Sequence, residues 1–429
     1  MGATREHSVD AQQAAGAWFE AAAVEPLGNG HIHRTYLLRP DDNSAERYVL
    51  QKINGQVYGD IPLLVEQTAR VLAALSTDLV FCAAYQVPEL IPTRSGEPIC
   101  TIASDDEHQV WRLWRFVEDS MTCDPPTNRQ QIRTAARAFG AYQRATAVLE
   151  QLALVETIPG FLDMTRYLRA FDATLGRSEL SEREAAAQWI ARVQENRDWP
   201  ESLLQFNAVI HGDCKINNLL FDQQGERVLS VIDLDNNMMG HWAWDFGDLV
   251  RSVSFSRGGF DKLDYQACIE GFLAGRGDKP DPDELLTEHL ATAPAFLAFM
   301  LGLRFLTDHL AGDEYFVVPK HGENLQRAIE QFELFNQFQS NEDRMRVCAQ
   351  EVLGQLTTLT QPLYIKKLRL GQKAQDQAHH CGHGQYEERG YNHPNNDEMA
   401  GLAAGKVTFA FFPRLHANHC RNGATKHFQ

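Results

Sequence analysis

At 429 residues and 44% hydrophobic content, the chain is long enough for two to three domains or one large two-lobed unit with a sizeable core. With 40 Lys plus Arg against 57 Asp plus Glu, a formal charge of -17, it lacks the basic footprint that duplex nucleic acid requires; a phosphate ligand brought with a metal ion needs only a local site. No apolar run of about 18–20 residues is present to cross a membrane, no hydrophobic signal region opens the chain, and the eight cysteines contain no CxxC pair, so a cytoplasmic protein with free thiols is expected.

Residues 21–120 read mostly as short strands. "YLL" and "RYVLQKI" flank the polar turn "RPDDNSAE", a hairpin pattern. A helix is expected at "IPLLVEQTARVLAAL", where Leu63, Leu64, Val71 and Leu72 recur at helical spacing. Strands return at "EPICTIAS" and "QVWRLWRFV". From about residue 121 to 355 helical patterns dominate, including "EREAAAQWIARVQENR" and the buried-helix pattern "APAFLAFMLGLRFL". The expected fold class is α+β, a small antiparallel-sheet N-terminal lobe followed by a larger, mainly helical C-terminal lobe, joined near residues 116–122. Residues 356–429 are polar and without period, which predicts a disordered tail; His379, His380, Cys381 and His383 in it could bind a metal, but a flexible His-rich segment is the plainer reading.

Chemistry concentrates in "HGDCKINN" (211–218) and "VLSVIDLDNN" (228–237). "NLLFD", the turn "QQGE" and "RVLSVID" form a second hairpin pattern. If Asp222 faces Arg227, Asn218 pairs with Val231 and Ile216 with Asp233, so Asn218, Asp233 and the loop holding Asp213 share the open end of the hairpin. Carboxylate and amide oxygens suit a hard divalent cation that shares its site with phosphates. Asp213 could take a proton from an attacking hydroxyl, and Lys215 could offset charge on a phosphoryl group in transfer. His211 is read as holding the loop by hydrogen bonds, Cys214 as packing, and Trp242 and Trp244 as core beneath the site.

The order His-Gly-Asp-x-x-x-x-Asn followed by Ile-Asp-x-Asp resembles the aminoglycoside phosphotransferase and choline kinase family, which has the two-lobed protein-kinase-like fold. A sharper likeness, to the N-acetylhexosamine 1-kinase branch, rests on "LQKIN" (50–54), "WRLWRFVEDSMTCD" (111–124), "IDLDNNMMG" (232–240), "WDFGDLVRS" (244–252) and "RFLTDHLAGDEYF" (304–316). The resemblance implies ATP and Mg²⁺ as cofactors and a small hydroxylated substrate, with no nucleic-acid or membrane partner. It implies Asp213 as catalytic base, Asn218 and Asp233 as metal ligands, and Asp235 as a second carboxylate. "DFG" at 245–247 lies beyond the hairpin, so its Asp245 is expected to anchor the following helix through backbone N–H groups.

On the nucleotide side, "LGNGHIHRTYLL" resembles the phosphate-covering turn, with Gly28 and Gly30 allowing close backbone approach, although Asn-Gly is also an ordinary hairpin turn. Lys52 is the expected cation for the α- and β-phosphates; alternation puts Gln51 on the other face, and the family pattern allows either. Glu66 is the candidate partner of Lys52, against a solvated helix face. Phe116, Val117 and Glu118 match the inter-lobe hinge that would hold adenine. Arg304 and Asp308, one turn apart, could pair. Leu162 departs from the branch, which carries His there, and keeps amino alcohols and aminoglycosides open as acceptors, as well as a catalytically silent nucleotide-binding protein. A choline-type substrate would ask for an aromatic cage, an aminoglycoside for an acidic pocket.

Overall fold

The structure is a computed structural model that describes residues 2–355 apart from 29–31, 42–44, 105–106, 153 and 317. Gly30 and the tail with its His/Cys cluster lie outside the described residues.

The N-terminal lobe is an antiparallel sheet built from β1 (Ala22–Pro26), β2 (Arg34–Pro40), β3 (Tyr48–Lys52), β4 (Leu90–Ile91), β5 (Cys100–Ser104) and β6 (Glu107–Arg115). The order is β1-β2-β3-β6-β4, with β5 also on β6. Helix α1 (Gly2–Ala15) extends this lobe to before residue 21. Its Ala11, Ala14 and Ala15, with Trp18, pack on one sheet face formed by Tyr36, Leu38, Tyr48, Leu50, Trp111 and Leu113. Strand residues alternate faces, so this packing sends Gln51 and Arg112, directly paired across β3 and β6, to the opposite face. Helix α2 (Ile61–Thr77) starts where the Asp60 carboxylate accepts the Leu63 N–H at 2.9 Å. It buries Leu64, Val65, Gln67, Thr68, Val71, Ala74 and Leu75 at helical period.

The C-terminal lobe opens with β7 (Ser120–Met121), after the short helix α3 (Leu79–Ala84), and continues with α4 (Arg129–Thr146). The expected helix over 182–197 is two, α6 (Leu180–Ala185) and α7 (Ala187–Glu195), which follow α5 (Met164–Leu175) and meet at the fully buried Ala186. Next come β8 (Ala208–Ile210), the hairpin β9 (Leu219–Asp222) and β10 (Val228–Val231), and β11 (Met238–Gly240). Helices α8 (Trp242–Ser256), α9 (Lys262–Arg276), α10 (Asp283–Leu310) and α11 (Glu323–Ser340), with a further helix over 342–355, complete the lobe. By length and composition α10 could cross a membrane, but 72% of its most apolar window is buried within the protein, and Pro294 sits inside it.

Helices α4 and α9 approach to backbone contact through glycines. A Cβ at Gly275 would lie 2.1 Å from the Arg137 carbonyl oxygen, and one at Gly140 2.1 Å from that of Phe272. Gly275→Ala therefore has to push the helices apart, and we expect it to lower stability by about 1–3 kcal/mol, read as a lower melting temperature.

Candidate active site

Strand β8 delivers the chain to a loop whose backbone is held from below. The Asp245 carboxylate, in the first turn of α8, accepts the His211 N–H at 2.9 Å and the Gly212 N–H at 3.0 Å, and Gln143 Nε2 donates to it at 2.8 Å. This corrects the expected role of Asp245: it anchors the loop 211–213, while α8 is capped by His241 Nδ1, which accepts the Ala243 N–H. Gly212 has φ +79°, and a Cβ there would meet the Asn236 carbonyl oxygen at 2.6 Å, so this position takes only glycine. His211 is fully buried; Nδ1 accepts the Asp213 N–H and Nε2 donates to the Ile232 carbonyl at 2.9 Å, a structural role. Cys214 is also buried, and burial pushes its thiol up.

Asp213 and its neighbours form one compact group. Asp213 Oδ2 lies 2.9 Å from Lys215 Nζ and accepts Asn218 Nδ2 at 2.9 Å. Asn218 Nδ2 also donates to the Asp213 carbonyl, which turns the amide oxygen of Asn218 the other way. Burial pulls the Lys215 ammonium down, but the charges of Asp213, Asp248 and Asp233 outweigh it and hold its pKa above the ordinary value.

The hairpin brings Asp233 to the same end, with a shift in register. Asp222 N–H donates to the Arg227 carbonyl as expected, yet a bulge between Val228 and Ser230 moves the pairing on by one, so Leu219 faces Val231 and Asn218 faces Ile232. The physical cause is a third segment: Gln86 N–H takes the Leu229 carbonyl at 2.7 Å and Ser230 Oγ donates to the Gln86 carbonyl. Asp233 follows in the left-handed region, φ +63°. Its side chain is open to solvent, and among the described residues no protein donor reaches its carboxylate. Although the residue reaches solvent, the protein packed around its carboxyl desolvates it and, with the charges of Asp235 and Asp213, pushes it above the ordinary range. Such an acid gains from a cation. Asn218 and Asp233 thus offer oxygen ligands that fit a hard divalent ion.

Asp235 is placed differently from expectation. Its side chain is buried, and both oxygens are taken by Arg112, at 2.6 Å each, and by His33 Nε2 at 2.6 Å. Burial raises this carboxyl, but Arg112 and His33 prevail and hold it well below the usual range. It serves a buried ion pair rather than an open metal position.

The Lys52–Glu66 pair does not form either. Cross-strand pairing sets Lys52 against Trp111, on the face covered by α1. Glu66 is exposed on the outer face of α2 and pairs with Arg70 at 2.5 Å. The cation facing the catalytic hairpin is Arg112, whose Nε donates to Gln51 Oε1 at 3.0 Å. The alternation in "WRLWR", apolar Trp111 and Leu113 around Arg112, carried that signal. Gly28, φ +68°, sits in the turn joining β1 to β2, and Leu27 N–H closes that turn on the Thr35 carbonyl. At the hinge, the Phe116 N–H donates to the Arg47 carbonyl, the Val117 carbonyl accepts Ser120 Oγ, and Glu118 pairs with Arg47.

Two other clusters resolve as structural. His241, Asp281 and His289 are near enough to share a metal ion. However, Asp281 accepts Trp242 Nε1 at 2.6 Å and His289 Nδ1 at 2.8 Å, and His289 Nε2 meets Ser202. His241 Nδ1 is spent as a cap acceptor, so its Nε2 carries the proton and offers no lone pair. Trp242 and Trp244 are buried as expected. Arg304 does not pair with Asp308, whose carboxylate instead accepts the Tyr315 N–H at 2.7 Å, the Phe316 N–H at 2.9 Å and Asn324 Nδ2 at 2.8 Å.

The profile of the Phosphotransferase enzyme family matches residues 23–286, more than half of the chain. The fold is similar to that of a microcompartment-associated aminopropanol kinase, at 20% identity and TM-score 0.52, over 78% of this chain and 98% of that one. An aminoglycoside phosphotransferase from Alicyclobacillus acidocaldarius matches at 16% identity and TM-score 0.51, covering 79% and 96%. A choline kinase from Cryptosporidium parvum Iowa II matches at 10% identity and TM-score 0.50, covering 81% and 99%. These identities speak for the fold alone: a kinase-like lobe of antiparallel sheet before a mostly helical one. The loop at 211–218 and the hairpin after it fall inside the matched span, and the chain belongs to the Phosphotransferase enzyme family, whose members move a phosphoryl group to a hydroxyl of a small molecule.

Proposed function

We propose that this phosphotransferase takes the terminal phosphoryl group of ATP, bound with Mg²⁺, to the anomeric hydroxyl of an N-acetylhexosamine or related sugar. The observation that carries the reaction is the asymmetry at Asp213. Lys215 and Asn218 hold Oδ2, which leaves Oδ1 to orient the acceptor hydroxyl and take its proton. The acceptor oxygen forms the new bond to phosphorus as the bond to the departing nucleoside diphosphate breaks. Lys215 stands beside the transferring group with its charge secured, and Asn218 with Asp233 would hold the divalent ion. That ion, when bound, supplies neutralisation of phosphate charge. The turn carrying Gly28 and the hinge 116–118 would seat the nucleotide.

The sugar reading is supported by the branch-like motifs and by Arg304. Its guanidinium carbon lies 5.5 Å from the Phe161 ring centre and 5.2 Å from those of Tyr167 and Phe316, and among the described residues no carboxylate pairs with it. Phe161 and Tyr167 belong to a stretch tied to the site at Thr157, whose Oγ1 donates to the Asp235 carbonyl at 2.6 Å. Leu162, where the branch carries His, is buried at φ +59° beside Phe161, so its side chain packs inward and offers the acceptor no polar group. The aromatic cage here already holds a cation. It disfavours a quaternary or primary ammonium and leaves guanidinium donors for a neutral carbonyl such as an N-acetyl oxygen.

Mass spectrometry of products from a panel of N-acetylhexosamines, amino alcohols and aminoglycosides tests the proposal. A sugar 1-phosphate supports it. Transfer confined to amino alcohols or aminoglycosides overturns the sugar reading, and absence of transfer to any acceptor overturns it too. Arg304→Met keeps the packing stem and removes the donors. We expect it to raise the acceptor KM about 10–100-fold, the cost of charge-assisted hydrogen bonds, with the KM for ATP unchanged.

A further inference from the structure

A buried ion pair crosses the cleft where an open phosphate-binding cation was expected. Arg112, 3% exposed, meets Asp235 with Nη1 on Oδ1 and Nη2 on Oδ2, each at 2.6 Å. Its Nε goes to Gln51 Oε1 at 3.0 Å, and the same oxygen accepts Trp114 Nε1 at 2.9 Å. His33, at the end of the glycine turn, adds a 2.6 Å bond from Nε2 to Asp235 Oδ2. Its Nδ1 accepts the Asn54 N–H at 3.2 Å, so the backbone selects the tautomer that donates to Asp235.

The far side of the turn at 234–236 is tied as well. Thr157 Oγ1 holds the Asp235 carbonyl at 2.6 Å, and Tyr58 OH donates to Asn236 Oδ1 at 3.2 Å while its ring stacks on His33 at 5.4 Å. Strand β6, the glycine turn, the stretch before α2 and the segment before α5 therefore converge on residues 234–236. Immediately before them stands Asp233, in a left-handed conformation that a non-glycine residue keeps only where its surroundings impose it.

We propose that Arg112, Asp235 and His33 form a positioning latch. It sets the Asp233 turn against the N-terminal sheet and the glycine turn, so that the metal ligand and the nucleotide cover are placed by one buried network. Unlike the expected Lys52–Glu66 pair, which lies wholly within the N-terminal lobe, this network joins that lobe to the Asp233 turn. Its role rests on Asp233 as a metal ligand. A buried charge pair adds little net stability over an apolar pair of equal volume, so its value here is geometric.

The test uses the full chain with Arg112→Met/Asp235→Leu, which removes both charges together, and His33→Ala, which removes one donor. Magnesium-dependent binding of a non-hydrolysable ATP analogue is followed by calorimetry, and amide exchange is followed over residues 232–237. We expect the double variant to melt near wild type. Its half-saturating Mg²⁺ should rise about tenfold or more, the usual cost of losing a partner that orients a metal ligand. Faster exchange at 232–237 should accompany that rise, with the acceptor KM within about twofold of wild type. His33→Ala should shift both readouts the same way by a smaller factor, and it decides the matter if the double variant does not fold. Variants that melt like wild type and keep its Mg²⁺ requirement and its exchange protection overturn the latch. Metal-independent nucleotide binding by wild type would sink the metal reading, and the latch's role with it. In that case the exchange contrast would persist, so the two failures are distinguishable.

Discussion

Asp213→Asn should lower kcat by about 10²–10⁴-fold, the range for losing a general base, while ATP binding stays within about threefold of wild type. The substitution keeps the shape of the group. An amide oxygen can still accept from Asn218 Nδ2 and Lys215 Nζ, so the loop should hold its fold. What is lost is the oxygen able to take the acceptor's proton. Lys215 reports on the same change: much of what lifts its pKa is the Asp213 charge, so the variant lysine should titrate lower. A kcat within tenfold of wild type would remove Asp213 from the proton transfer.

Asp233→Ala should reduce kcat/KM for ATP by about 10³-fold, from loss of several kcal/mol of charge stabilisation at the phosphates, and should raise the half-saturating metal concentration. The wild-type metal requirement should also depend on pH with a defined sign. Because the Asp233 carboxyl is raised, protons compete with the metal at higher pH than at an ordinary carboxylate. Half-saturating metal should climb as pH falls toward and through that raised value, and the Ala variant should lose this limb of the profile. A variant with unchanged metal dependence would move the ion elsewhere.

The grouping of Asp213, Lys215 and Asn218 with the turn at Asp233 was legible because these residues are close in the chain. Asp213, Lys215 and Asn218 share one loop, and a hairpin of known turn length returns Asp233 to it. The error of one residue in register came from Gln86, far away in sequence, whose N–H draws out Leu229 as a bulge. The DFG-like acid shows the same limit. A first-turn acid suggests a cap, but its carboxylate reaches back to the amides of His211 and Gly212 on a neighbouring strand end.

The sequence by itself determined the two-lobe division, the order of the motifs and the acids of the loop, and strand alternation separated Gln51 from Lys52. Which strand face looks into the cleft was decided only when α1 covered the face of Tyr48, Leu50 and Trp111, leaving Gln51 and Arg112 to the hairpin side. Only the tertiary structure turned Asp235 from a metal ligand into the partner of Arg112 and His33, and Glu66 into a solvated residue. The physical reason is range. Periodicity and turn chemistry act between near neighbours, whereas the pairing of a buried charge is settled by whichever distant side chain satisfies it in the packed core.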